Sequence, residues 1–263
     1  GGRNRIDAAV SGTTSLDTTL DQRRTGIRRT VREEIDTESL GDRIVSRNIV
    51  QFMRQRNIQF TATRMKPNTQ VYGFFDRVDV NEFCIPKLLE ISMTSGTFQV
   101  GEVVIGRMPS LDLNIQVANS SLPEINFMVA QSNHKYGPFD DPTDTFINSP
   151  YDRGNVIPAT YSETSTILNV DTKSLANESE TNQSGYVASG MVLIGQTSGA
   201  QATISDLRLI SDGLGTMIGS YRVPTSQNSA NPIFETGRNR FRLTSSATNT
   251  KVSGLFSTAA EET

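Results

Sequence analysis

Two stretches rich in aromatic and β-branched residues, far apart in the chain, constrain its fold more than any other feature. The first is Met65-Lys66-Pro67-Asn68-Thr69-Gln70-Val71-Tyr72-Gly73-Phe74-Phe75-Asp76-Arg77-Val78-Asp79-Val80. The second is Gly219-Ser220-Tyr221-Arg222-Val223-Pro224, followed by Phe234-Glu235-Thr236-Gly237-Arg238-Asn239-Arg240-Phe241-Arg242-Leu243-Thr244. Such residues favour a pleated, half-buried surface, so both stretches read as strands. Side chains alternate along a strand, which puts Val71 and Phe75 on one face and Tyr72 and Phe74 on the other. One of these faces packs into a core. The aromatics Tyr72, Phe74, Phe75, Tyr221, Phe234 and Phe241 are therefore read as packing residues, with one face left for an interface, and not as a ligand box.

Period-two alternation also precedes the first stretch. Ile58, Phe60 and Ala62 alternate with Gln59, Thr61 and Thr63, as in a half-buried strand. Lys66-Pro67-Asn68-Thr69 is turn chemistry. Residues 87–93 predict a further strand.

Between the two stretches lies a short internal repeat. Gly101-Glu102-Val103-Val104-Ile105-Gly106 matches Gly190-Met191-Val192-Leu193-Ile194-Gly195. The second copy runs on through Gln196-Thr197-Ser198-Gly199-Ala200-Gln201-Ala202-Thr203-Ile204, which reads as strand, glycine turn, strand. Its spacing is too long for a solenoid, so two related hairpins within one domain are expected. Residues 138–158 read as loop, and the polar segment 175–184 reads as exposed.

Short strands separated by polar turns, with no alternation of strands and long helices, point to a mainly β fold. The expected architecture is a discontinuous β-sandwich from residues 46–96 and 211–250, with a small β domain inserted at 97–210. Residues 1–45 are expected to form an extended, partly helical arm that contacts other subunits. Residues 251–263 read as a connector to a further part of the protein. The chain starts at Gly1 and stops within Ala259-Ala260-Glu261-Glu262-Thr263, which predicts a segment of something longer.

A hydrophobic share of 35% and a charged share of 20% over 263 residues suit a folded, rather polar chain. No apolar run reaches the length of about 18 residues that a membrane-spanning helix needs, so no membrane insertion is expected. No secretory signal is visible.

Charge is uneven. Residues 1–70 hold 13 Lys and Arg against 8 Asp and Glu, while residues 71–263 hold 12 against 20. The cluster Arg23-Arg24, Arg28-Arg29 and Arg32 is followed directly by acids and has no interleaved aromatics. It therefore reads as an inter-subunit salt-bridging surface, and no specific nucleic-acid binding is expected.

No catalytic, cofactor-binding or metal-binding residue is expected. Cys84 is the only cysteine, which excludes an internal disulfide and a cysteine cluster and makes it an apolar filler. His134 is the only histidine and sits in loop-like surroundings, so multi-histidine metal sites within one chain are excluded. Asp140-Asp141-Pro142-Thr143-Asp144 groups carboxylates but lacks the glycine and closing Glu of an EF-hand loop. Gln196-Thr197-Ser198-Gly199-Ala200 lacks the Gly-x that precedes the serine of a nucleophile elbow and reads as a turn. No Gly-rich phosphate-binding pattern is present.

The two separated stretches resemble the paired "KPxTxxYxFFDxxDV" and "GxFxIP…FxTGxxxFxLT" halves of large virion proteins of tailed phages, above all contractile-tailed phages of cyanobacteria. The likeness extends to Arg47-Asn48-Ile49-Val50-Gln51-Phe52-Met53-Arg54, to residues 189–200 and to Leu243-Thr244-Ser245-Ser246-Ala247-Thr248-Asn249-Thr250. The halves usually lie closer together, so the long insertion is a departure. The resemblance implies a non-enzymatic structural component of a phage tail, in a baseplate or tail fibre, located in the virion. It implies as partners further copies of the chain, as a trimer, and other tail proteins. The alternative it leaves open is a host receptor- or glycan-binding module.

Overall fold

The computed structural model describes residues 51–109, 122–133, 148–152, 155–226 and 228–263. The expected arm, the Arg23–Arg32 cluster, His134 and Asp140, Asp141 and Asp144 lie outside the described residues. The fold is mainly β, as the patterning implied: the described residues form several antiparallel sheets and two short helices.

The strands in chain order are β1 (Arg56–Ala62), β2 (Gln70–Phe75), β3 (Val78–Asp79), β4 (Cys84–Pro86), β5 (Leu88–Ser95), β6 (Val103–Arg107), β7 (Glu124–Met128) and β8 (Ile167–Asn169). Then come β9 (Ser184–Gly185), β10 (Val192–Gly195), β11 (Gln201–Asp206), β12 (Leu209–Ile210), β13 (Met217–Val223), β14 (Phe241–Thr244) and β15 (Ala259–Glu262). Two short helices, α1 (Thr172–Ala176) and α2 (Glu178–Thr181), lie between β8 and β9.

Two small antiparallel sheets form the discontinuous sandwich. One has the order β1-β13-β4, and the other the order β12-β2-β14-β15 with β3 paired to β2. Each mixes strands from both ends of the described chain. β1 pairs with β13 along its whole length, from Arg56 opposite Val223 to Ala62 opposite Met217. β2 pairs with β14, Phe75 opposite Phe241 and Tyr72 opposite Thr244. The two halves of the split sequence pattern are thus hydrogen-bonded neighbours.

Aromatic side chains fill the space between these sheets in one row. Phe60 meets Phe241 at 5.1 Å between ring centroids, Phe241 stacks on Tyr221 at 5.5 Å, Tyr221 meets Phe75 at 5.3 Å, and Phe75 meets Phe234 edge-on at 4.7 Å. Val71, Phe83, Cys84, Leu209 and Leu243 pack around the row. Gly219 is where two backbones and a ring converge. A Cβ there would lie 2.5 Å from Phe60 Cζ and 2.6 Å from the Ile85 carbonyl oxygen.

The remaining strands form a seven-stranded antiparallel sheet of order β8-β5-β11-β10-β6-β7-β9. It curls around a second core that includes Leu89, Ile91, Phe98, Val104, Ile125, Phe127, Leu168, Leu193 and Ile204. β5 belongs to this sheet, bonded to β11 and β8, although its residues precede the segment 97–210. Lys87 marks the crossing. Its N–H donates to the Ile218 carbonyl, next to the β4–β13 ladder, while its own carbonyl accepts from Val170 N–H, next to the β5–β8 ladder.

The repeated hexapeptides lie side by side. β6 and β10 pair antiparallel with Ile105 opposite Ile194, the same position in each copy. Both leading glycines are left-handed, Gly101 at φ +83° and Gly190 at φ +81°, a conformation that favours glycine. Their bonding matches too. Gly101 N–H donates to the Val129 carbonyl and Gly190 N–H to the Ile204 carbonyl, each at 2.8 Å. Val129 N–H returns to the Glu102 carbonyl and Ile204 N–H to the Met191 carbonyl, each at 2.9 Å. The copies are therefore related by a local twofold through the Ile105–Ile194 pair.

The copies differ at one functional position. Met191 is a core residue, whereas its counterpart Glu102 is buried and caps the β10–β11 turn. The Glu102 carboxylate accepts from Gln99 N–H at 2.6 Å, Thr197 N–H at 3.1 Å, Ser198 N–H at 2.9 Å and Ser198 Oγ–H at 2.8 Å. A buried carboxylate is tolerated here because its lone pairs are occupied by donors.

β5 thus falls outside the sandwich expected from residues 46–96. The polar segment 175–184 is largely exposed, as expected, yet it carries the end of α1 and all of α2. Asp171 caps α1 by accepting from Lys173 and Ser174 N–H, and Leu175 and Gln183 are buried. Residues 251–263 carry β15, which adds to β14 from Phe241 opposite Glu262 to Thr244 opposite Ala259.

Replacing Gly219 by Ala should lower unfolding free energy by about 1–3 kcal/mol, because the new methyl has no room. The same change at Gly213, where a Cβ meets nothing within 4 Å, should be neutral or stabilising by about 0.4–1 kcal/mol. Urea unfolding of both variants checks the contrast.

Candidate functional site

The alternation in Arg238-Asn239-Arg240-Phe241-Arg242-Leu243 divides this run between two faces. Phe241 and Leu243 turn into the sandwich core. Arg238, Arg240 and Arg242 line a surface cleft of about 430 Å³, together with Asp76, Arg77, Asn249, Lys251 and Glu261. Five cationic side chains thus share this wall with two carboxylates.

The β2–β3 turn fixes one side of the cleft. Phe75 pairs with Val78, leaving a two-residue turn of Asp76 and Arg77 with φ of +46° and +76°. Left-handed φ at both positions is the tight hairpin geometry that normally selects Asn-Gly or Asp-Gly. An arginine in the second position carries backbone strain of order 1–2 kcal/mol. Asp76 secures the turn. Its N–H donates to the Arg240 carbonyl at 2.9 Å, and its Oδ1 accepts from Arg240 N–H at 2.7 Å.

Glu261, on β15 and opposite Arg242, is the hub of the other side. Its carboxylate lies 2.9 Å from Arg240, 3.2 Å from Arg242 and 3.2 Å from Lys251. Partial burial works against the charged form, but hydrogen bonds from Lys251 and Arg242 and the charges of Lys251 and Arg240 outweigh it. The Glu261 carboxyl therefore titrates below its usual value.

Arg242 is the buried member of the set. Its guanidinium lies 5.4 Å above the Phe256 ring and donates to the Thr250 carbonyl at 3.3 Å, while its Nε has no partner. Asn249 Oδ1 is likewise buried without a partner. Among the described residues, neither Arg77 nor Arg238 makes an ion pair.

The other residues weighed from sequence do not join this cleft. Cys84 is enclosed in the sandwich core, where burial, helped by the Asp79 charge, pushes its thiol well above the usual range and leaves it unreactive. Ser198 lies in the β10–β11 turn, its hydroxyl donating to Glu102 and accepting from Ala200 N–H at 3.1 Å. Tyr221, Phe75, Phe234 and Phe241 pack against one another. No group of three or more His, Cys, Asp or Glu able to hold a metal occurs among the described residues. No described helix is long and apolar enough to cross a membrane.

Sequence reasoning passed over the arginines of the second stretch. The signal for them is three arginines at alternate positions beside apolar Phe241 and Leu243.

No protein-family model matches the chain, and neither a curated protein nor a solved structure does.

A carboxyl that titrates lower when folded contributes stability above its unfolded value, and the contribution fades as pH falls through the folded value. Glu261→Gln should therefore cost about 1 kcal/mol or less at neutral pH. Variant and parent should converge only once pH has fallen below the depressed folded value, where Glu261 is protonated in both states. Thermal unfolding across this pH range tests it.

Proposed function

We propose that this chain is a non-enzymatic structural segment of a phage tail protein, serving as a rigid spacer in a baseplate or tail fibre. The reading rests on the resemblance of residues 65–80 and 219–244 to virion proteins of contractile-tailed phages. The observation that carries it furthest is the joining of those two stretches in one sandwich, through the β2–β14 ladder and the shared aromatic row. A spacer must resist bending, and strands from distant parts of the chain that share a ladder and a core make a stiff unit. The partners in this reading are other copies of the chain, arranged as a trimer, and neighbouring tail proteins. The arm at 1–45 supplies the contacts between copies.

Antibodies raised against the purified chain should label the tail of contractile-tailed cyanophage particles in immunogold electron microscopy. Light scattering of the purified chain should give a trimer mass that shifts to monomer on deletion of residues 1–45. Labelling of capsids alone, or an unchanged mass on deletion, would contradict the reading.

A further inference from the structure

We propose that the cleft between the Asp76-Arg77 turn and β15 is a binding site for a phosphate-class dianion, free or esterified to a larger molecule. The inference does not depend on where the chain sits in a virion. Three observations support it.

The first is charge. Glu261 is shared by Arg240, Arg242 and Lys251, and the Asp76 Oδ1 is committed to the Arg240 backbone. Arg77 and Arg238 are left without a carboxylate on the same cleft. A further carboxylate ligand would bring one negative charge. A phosphomonoester brings between about 1.5 and 2 negative charges and three acceptor oxygens, which matches two free guanidinium forks.

The second observation is strain. Arg77 occupies a left-handed position where glycine would be cheaper. Strained residues of this kind persist where the surrounding structure imposes them, and they cluster at ligand clamps. Here the Asp76–Arg240 bonds impose it, and the result is that the backbone of Arg77 is held at the rim of the cleft.

The third is burial. Arg242 is about nine-tenths buried, and its Nε donor has no acceptor. A positive charge held in poorly solvated surroundings beside the cleft strengthens the attraction for an anion there.

The test uses the full chain at low ionic strength, with inorganic phosphate, glucose 6-phosphate and glucose as probes in calorimetric titrations. Both phosphates should bind saturably with millimolar or tighter Kd, and glucose should not. Equal affinity for the two phosphates assigns recognition to the free anion, whereas tighter binding of the ester assigns it to a phosphate on a larger molecule.

Each of Arg77→Gly and Arg238→Ala should weaken phosphate binding about three- to tenfold. Arg77→Gly relieves the turn and should leave thermal stability unchanged or raised, so lost binding there reports the lost side chain and not lost folding. Absence of saturable phosphate binding, or binding unaltered in both variants, would overturn the proposal.

Discussion

The row of rings from Phe60 through Phe241, Tyr221 and Phe75 to Phe234 holds this molecule together. Its members come from β1, β14, β13, β2 and the segment before β14, so they span almost the whole described chain. Neither small sheet could bury its aromatic face alone. A three-stranded sheet and a five-stranded sheet become stable only when those faces meet. Gly219 and Gly73 keep the approach close. A Cβ at Gly73 would lie 2.8 Å from Cys84 Sγ, so the glycine makes room for the buried thiol.

Once the sandwich is closed, the rest is positioned by it. The strand alternation that sends Phe241 and Leu243 inward sends Arg240 and Arg242 outward, so core and cleft are two faces of one strand. β15 then covers the edge of β14 and brings Glu261 opposite Arg242. The seven-stranded sheet departs from the sandwich at Lys87, with its own core and its own local twofold. Glu102 breaks that symmetry to cap a turn, which shows how one repeated strand can serve packing in one copy and turn formation in the other.

Much of this was legible in the sequence. Alternation in 58–63 and 70–75 identified β1 and β2, and the matching hexapeptides identified β6 and β10 together with the β10–β11 hairpin. Alternation gives the face of a residue but not the neighbour of a strand, which is why the membership of β5 in the larger sheet could not be read from residues 87–93. The polar composition of 175–184 indicated its exposure but not the capping of α1 by Asp171 or the burial of Leu175, which depend on tertiary neighbours. β15 was hidden because Ala-Ala-Glu-Glu has weak strand preference, and only pairing with β14 and the arginine cluster gives it shape. The Asp76-Arg77 turn lacked the glycine that usually announces such a hairpin.

A double-mutant cycle on Phe75 and Phe234 tests most directly whether the aromatic row unites the two distant parts of the chain. The rings meet edge-on at 4.7 Å, and their residues come from the two separate halves of the pattern. Urea unfolding of Phe75→Leu, Phe234→Leu and the double variant should give a coupling energy of about 0.5–1.5 kcal/mol, with one transition in every case. Strictly additive losses, or separate transitions for the two halves, would contradict the account.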